Sequence, residues 1–200
     1  MKILSEQQTI LTPVLMSNRT PRERMDVSRS PGLHVQAINK ALGVAAGKVT
    51  DSDLASYPFE KFSDSLYPLL PALGVAWEEF RASLYSESEL LWQPCELERD
   101  GIYGTPDGFL DSGAIWECKL TTAKIKSVAD CWMYLKQGLA YCAMSGRRRV
   151  VYDILWVLGD YSRPYQPIGT VTEVEFESRE IEAWWKAVVR AGKNVKGEGE

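Results

Sequence analysis

The stretch from Gly101 to Thr121, GIYGTPDGFLDSGAIWECKLT, constrains the fold more than any other part of the chain. Two short runs flank Asp111-Ser112-Gly113. A three-residue hairpin loop with glycine in its last place is a common β-connection, because that position takes positive φ. Pairing Leu110 with Ala114 sets the register, and Asp107 then stands opposite Glu117. Strand alternation puts Lys119 on the same face as Glu117. Ala114-Ile115-Trp116 before the acid and Leu120 after the lysine predict a buried strand, so these charges belong to a core element. Two carboxylates side by side repel, and sheet packing gives no reason for them. A divalent cation accounts for both, and the adjacent lysine suits a reaction that develops negative charge.

Two hundred residues suit one domain, long enough to bury roughly 70% of the surface of its unfolded chain. No apolar run reaches the roughly 18 residues needed to span a membrane. Ser5, Glu6, Gln7 and Gln8 interrupt the N-terminal apolar residues, which makes a poor signal peptide, and a cytoplasmic protein is expected. Cys95, Cys118, Cys131 and Cys142 form no C-x-x-C pair, so neither a zinc site nor a disulfide framework is expected. Cys131 and Cys142, three helical turns apart, are expected to pack as small apolar groups. The net charge is −4, but its distribution matters more than its sum. Lys119, Lys124, Lys126, Lys136, Arg147, Arg148 and Arg149 are opposed by Asp130 alone. This excess lies immediately after the carboxylate hairpin, where a polyanion would have to approach.

Along the chain, residues 1–30 read as an arm, broken by Thr20 and Pro21 and rich in arginine. A domain follows over 31–192. Leu33 to Leu42 is expected to be a short helix stopped by Gly43, with His34 in a surface or capping place. A single histidine leaves no Ser/His or Cys/His system to consider. Pro71 opens a helix to Tyr85 whose apolar face is Leu73, Val75-Ala76-Trp77, Phe80 and Leu84. A strand is expected near Leu91 to Glu98. Val128 to Ser145 is a long helix ended by Gly146, with Trp132, Leu135, Leu139 and Cys142 as its stripe. Gln137 and Tyr141, four apart, share a face beside that stripe. Arg149 to Leu158 reads as a buried strand and Ile168 to Phe176 as an edge strand. Ser178 to Ala191 is an amphipathic helix, and the tail GKNVKGEGE is expected to be disordered. The order of elements predicts an α/β (α+β) domain with a central mixed sheet flanked by helices.

These residues resemble the PD-(D/E)xK nuclease superfamily, with its restriction-endonuclease-like core. Pro106-Asp107 and Glu117-Cys118-Lys119 match its literal signature. Gln137-Gly138-Leu139-Ala140-Tyr141 is similar to the Q-x-x-x-Y motif of the RecB-like and lambda-exonuclease-like branches, and it falls on the helix after the ExK strand. Gly74-Val75-Ala76-Trp77-Glu78 resembles the G-x-x-x-E of the lambda and YqaJ exonucleases. The likeness covers roughly residues 70 to 160.

The resemblance implies a role for each of these groups. Asp107 and Glu117, with the Cys118 backbone carbonyl and an upstream Glu78 (or Glu79), would hold Mg²⁺ or Mn²⁺. Lys119 would orient the attacking water and stabilise charge on the phosphate. Gln137 and Tyr141 would position the scissile strand or a water. Arg29-Ser30, Lys124, Lys126, Lys136 and Arg147 are the expected DNA contacts, and Arg29-Ser30 matches the lambda-type end-gripping element only loosely. The implied activity is DNA hydrolysis, with an exonuclease of phage or bacterial recombination or repair first. An endonuclease of the same fold, restriction or junction-resolving, is the alternative. A nucleic-acid-binding protein that keeps the fold without cutting is a third. DNA, a recombination or strand-annealing partner protein and a homo-oligomer are the implied partners. No P-loop is present.

Overall fold

The computed structural model describes residues 1–9, 32–48, 69–92, 96–121, 127–157 and 168–195. Strand β1 (Lys2–Thr9) opens the chain. A short strand β2 (Leu33–His34) leads into α1 (Val35–Ala45), and α2 (Leu69–Ser83) follows. Then come β3 (Leu90–Trp92), β4 (Leu97–Arg99), β5 (Ile102–Gly104), β6 (Gly108–Leu110) and β7 (Ile115–Thr121). A 3₁₀ turn at Val128–Asp130 precedes α3 (Trp132–Ser145), β8 (Arg149–Trp156), β9 (Ile168–Glu175) and α4 (Ser178–Val195).

Six strands form the main sheet in the order β1-β9-β8-β7-β6-β3, and β2-β5-β4 form a smaller one. Among the described residues only the β7–β8 pair is parallel in the main sheet. Parallel neighbours need a crossover, and α3 provides it. One face of the sheet, carrying Ile115, Val150, Tyr152, Ile154 and Val174, packs with Leu139, Tyr141, Ile181, Trp185 and Val188 from α3 and α4. The other face, carrying Ala114, Trp116, Cys118 and Val151, is covered by Trp77 and Ala82 of α2. Coverage on both faces explains why Ala114 to Trp116 is apolar without alternation.

The hairpin register is the expected one. Phe109 pairs with Ile115 and Gly108 with Trp116. Leu110 N–H donates to the Ala114 carbonyl at 2.9 Å, and Gly113 takes φ +84°. Gly146 ends α3 in the left-handed region at φ +71°.

Other expectations are corrected. Lys2–Thr9 is the outer strand of the main sheet rather than part of an arm; residues 10–31 lie outside the described residues. Its described side chains are all exposed, so it is held by its backbone ladder to β9 and shows no buried alternation in sequence. β9 is therefore an interior strand and not an edge. Gly43 does not stop α1: it is buried within the helix. The stop comes later, where Gly47 N–H donates to Val44 and Lys48 N–H to Gly43 with Gly47 at φ +63°. The expected strand over 91–98 is two strands in different sheets. The expected helix over 128–145 is interrupted at Cys131, whose ψ of 81° is not helical. Residues 192–195, expected in the disordered tail, complete α4, and Gly192 sits against Leu33, Ile102 and Ile38.

The largest surprise is the face that α2 buries. Leu73 is 50% exposed, whereas Arg81 is 7% exposed. Arg81 Nε lies 2.6 Å from Oδ2 of Asp153, itself only 1% exposed on β8. Burial pushes the Asp153 carboxyl upward, while Arg81 pulls it back down. Breaking a buried pair from one side leaves a charge without its partner, which costs about 3–5 kcal/mol. Arg81→Met should lower the free energy of urea unfolding by that order, and Arg81→Met/Asp153→Leu should recover most of the loss. A loss under about 1 kcal/mol for Arg81→Met would show that the pair does not hold α2 to the sheet.

Candidate active site

Asp107 stands at the entry to β6, and Glu117 and Lys119 are the third and fifth residues of β7. Alternation sends Ile115, Glu117 and Lys119 to one face. Ile115 enters the larger core there, and Glu117 follows it inward to 1% exposure. Lys119 Nζ lies 2.8 Å from Asp107 Oδ2 and 2.8 Å from Glu117 Oε2. Asp107 Oδ2 also accepts from the Cys118 backbone N–H at 2.8 Å. The three charged groups that the hairpin register predicts as neighbours therefore meet. Gly108 is required beside them, because a Cβ there would come within 2.7 Å of a Leu90 methyl and 3.1 Å of the Leu91 carbonyl.

The electrostatics follow from this burial. Desolvation drives the Glu117 carboxyl up to about 8, with Lys119 opposing the shift and Asp107 adding to it. Burial pulls Lys119 down, but Asp107 and Glu117 together outweigh it, so the ammonium ends well above its ordinary value and stays charged. Cys118 turns its thiol to the α2 face, where burial raises it well above a normal thiol. Burial likewise raises Cys131 to about 11 and Cys142 to about 12. All three stay protonated near neutral pH, which leaves none as a thiolate nucleophile.

Gln137 and Tyr141 also reach this corner. Gln137 Nε2 donates to the Tyr141 hydroxyl at 2.9 Å, and that hydroxyl donates to the Thr105 carbonyl at 3.0 Å. Tyr141 is 4% exposed and packs on Gly104, so its hydroxyl is committed to the segment that leads into Asp107. Glu78 is placed differently. It sits on α2, against the opposite face of the sheet, and its Oε1 accepts from Trp92 Nε1 at 3.0 Å. Among the described residues no three His, Cys, Asp or Glu side chains gather closely enough to ligate one ion.

Among the described residues, two side-chain donors thus remain for a cation, Asp107 and Glu117. Both Glu117 oxygens are buried, and the Lys119 ammonium lies 2.8 Å from one of them. A buried acid beside a second carboxylate offers hard oxygen donors, which fit a divalent ion that keeps part of its water shell.

Of the expected DNA contacts, Lys136 lies 4.5 Å over the Trp184 ring and Arg147 4.3 Å over the Phe109 ring. Arg29, Ser30, Lys124 and Lys126 fall outside the described residues. Sequence reasoning missed Trp92, Thr105 and Asp153. Only Asp153 carried a signal, an acid inside the apolar run RVVYDILWVL.

The raised Glu117 carboxyl has a definite sign in stability. Between an ordinary 4.5 and about 8, the folded chain holds a proton that the unfolded chain has released. Stability of the metal-free protein should therefore fall as pH rises through that window, by about 1.4 kcal/mol for each pH unit crossed, and level off above it. Urea unfolding at roughly pH 5 and roughly pH 9 should show a smaller fall for Glu117→Gln than for the natural chain. Equal falls would place the titration elsewhere.

No family model and no curated protein matches this chain. Solved structures do. A phage-related exonuclease from Haemophilus somnus 129PT superposes with a TM-score of 0.48 at 12% identity, over 85% of this chain and 97% of that one. LHK-Exo, solved in complex with dAMP, superposes with a TM-score of 0.51 at 11% identity, over 84% of this chain and 89% of that one. The second likeness carries the conclusion: the chain has the fold of LHK-Exo, a mixed sheet flanked by helices of the restriction-endonuclease-like kind that its motifs imply.

Proposed function

We propose that this protein is a metal-dependent deoxyribonuclease that degrades DNA from an end. The observation that carries the proposal is the meeting of Asp107, Glu117 and Lys119 on one hairpin, with Glu117 buried and the ammonium 2.8 Å from an oxygen of each acid. Asp107 and Glu117 would hold Mg²⁺ or Mn²⁺, and a backbone carbonyl at Cys118 could add a third oxygen. Such an ion, when bound, polarises a phosphodiester oxygen and makes a bound water more acidic.

The chain's own residues do the rest. Lys119 is kept cationic by its two acidic neighbours and offers N–H donors to a water and to oxygens on which charge builds. Tyr141 and Gln137 act on Asp107 through the Thr105 carbonyl, fixing the strand entry from which the carboxylate projects. Deleting the Tyr141 hydroxyl would leave that carbonyl without its donor. Of the described basic residues in this segment, Arg148 and Arg149 are paired with Glu175 and Glu173, and Arg147, next to the hairpin, is the one that meets no carboxylate and offers its charge to a polyanion. The Q-x-x-x-Y resemblance and the shared fold with LHK-Exo favour an exonuclease over an endonuclease.

Purified protein with Mg²⁺ should shorten end-labelled linear DNA and leave closed circular DNA intact, and EDTA should stop the reaction. Cutting of the closed circle would make it an endonuclease, and robust cutting in chelator would overturn the metal assignment. Lys119→Ala should lose cutting by about 10²-fold or more while binding DNA nearly as well as the natural chain. Unchanged cutting would remove Lys119 from the mechanism.

A further inference from the structure

Most basic side chains from Lys119 to Arg149 that the structure describes are already answered. Lys119 lies between Asp107 and Glu117, Arg148 is 3.7 Å from Glu175 and Arg149 is 2.9 Å from Glu173. Lys136 lies over Trp184 with Glu180 nearby, and burial pulls its ammonium below the ordinary value. Arg147 differs. Among the described residues no carboxylate stands within ion-pair distance of its guanidinium, which instead lies 4.3 Å from the centre of the Phe109 ring.

Phe109 is two residues beyond Asp107 and pairs with Ile115, which shares its face of β7 with Glu117 and Lys119, the groups that Asp107 meets. The Phe109 ring is half-buried and packed against the larger core, opposite Ile115, so it is a fixed platform. Arg147 follows directly on Gly146, whose left-handed φ of +71° closes α3. Both halves of the stack are thus carried by elements of set geometry. Contact with an aromatic face uses none of the five N–H donors of a guanidinium. They remain in one plane as a fork that suits two oxygens of a phosphate.

We propose that Arg147, stacked on Phe109, is a phosphate subsite for the bound DNA strand. It takes a backbone phosphodiester next to the one at Asp107, Glu117 and Lys119. The ring that carries Arg147 belongs to the residue two along from Asp107, and the covered ring face excludes a stacked base as the ligand. This assignment rests on the nuclease reading, because it places a second phosphate relative to the reacting one.

Two probes separate the subsite from the reaction centre. One is a short fluorescein-labelled DNA oligonucleotide, followed by anisotropy in Ca²⁺ and by cleavage in Mg²⁺. The other is bis(p-nitrophenyl) phosphate, a diester with no flanking phosphates. Arg147→Met should raise KM for the oligonucleotide about tenfold. It should also lower the slope of log affinity against log salt by about one phosphate contact. Hydrolysis of bis(p-nitrophenyl) phosphate should be unchanged. Phe109→Leu should move oligonucleotide KM in the same direction by less. Arg147→Lys, which keeps charge without the flat fork, should keep the salt slope and lose part of the affinity. Arg148→Met should behave as the natural chain. Natural oligonucleotide KM and slope in folded Arg147→Met would overturn the subsite and leave the nuclease reading standing. Equal losses on both substrates would also overturn it, since Arg147 would then act on the centre itself. A natural chain that neither binds the oligonucleotide nor hydrolyses either substrate would overturn the nuclease reading and the subsite together.

Discussion

The register of one hairpin governs the rest of the molecule. With Phe109 opposite Ile115, Asp107 faces Glu117, and alternation brings Lys119 to the same spot. A slip of one residue would send Glu117 and Lys119 to the other face, into the Trp77 and Ala82 packing of α2. Several contacts guard against that slip. Gly113 supplies the positive φ of the loop, and Arg149 donates to the Ser112 carbonyl at the tip. Gly108 lets β3 and Trp116 close on the strand. Two acids and one lysine can share so small a space because the ammonium lies between them.

The two faces of β7 do different work. One carries the charged site and is roofed by α3, which the parallel β7–β8 pairing requires as a crossover. That same crossover delivers Gln137 and Tyr141 to Thr105, two residues before Asp107. The opposite face has its own buried charge, where Arg81 reaches from α2 to Asp153, the register partner of Cys118. The sheet thus carries buried ion pairs on both sides, each anchored by a residue on β7 or β8. Burying charge on both faces is costly, and only short, paired contacts make it tolerable.

Much of this was legible in the residues, for physical reasons. Turn chemistry at Asp111-Ser112-Gly113 specified the loop, the loop specified the register, and the register specified which charges meet. The left-handed stop at Gly146 was equally local. The failures lie where tertiary contact decides. The described side chains of β1 are all exposed, so they leave no alternation to read. Arg81 and Glu78 look like solvated helix charges until Asp153 and Trp92 are seen beside them. Leu73 looks like core and is half exposed, because α2 turns a face containing Trp77, Arg81 and Ala82 to the sheet. The break at Cys131 and the continuation of α1 through Gly43 depend on what each segment packs against, which spacing alone does not report.

Asp107 and Glu117 sharing a divalent cation beside Lys119 is the central claim. Diffraction from crystals grown with Mn²⁺, recorded at the manganese absorption edge, tests it most directly. An anomalous peak is expected in contact with carboxylate oxygens of both residues, and absent from crystals of Asp107→Ala/Glu117→Gln grown alike. Manganese bound elsewhere, or bound unchanged in the double variant, would contradict it.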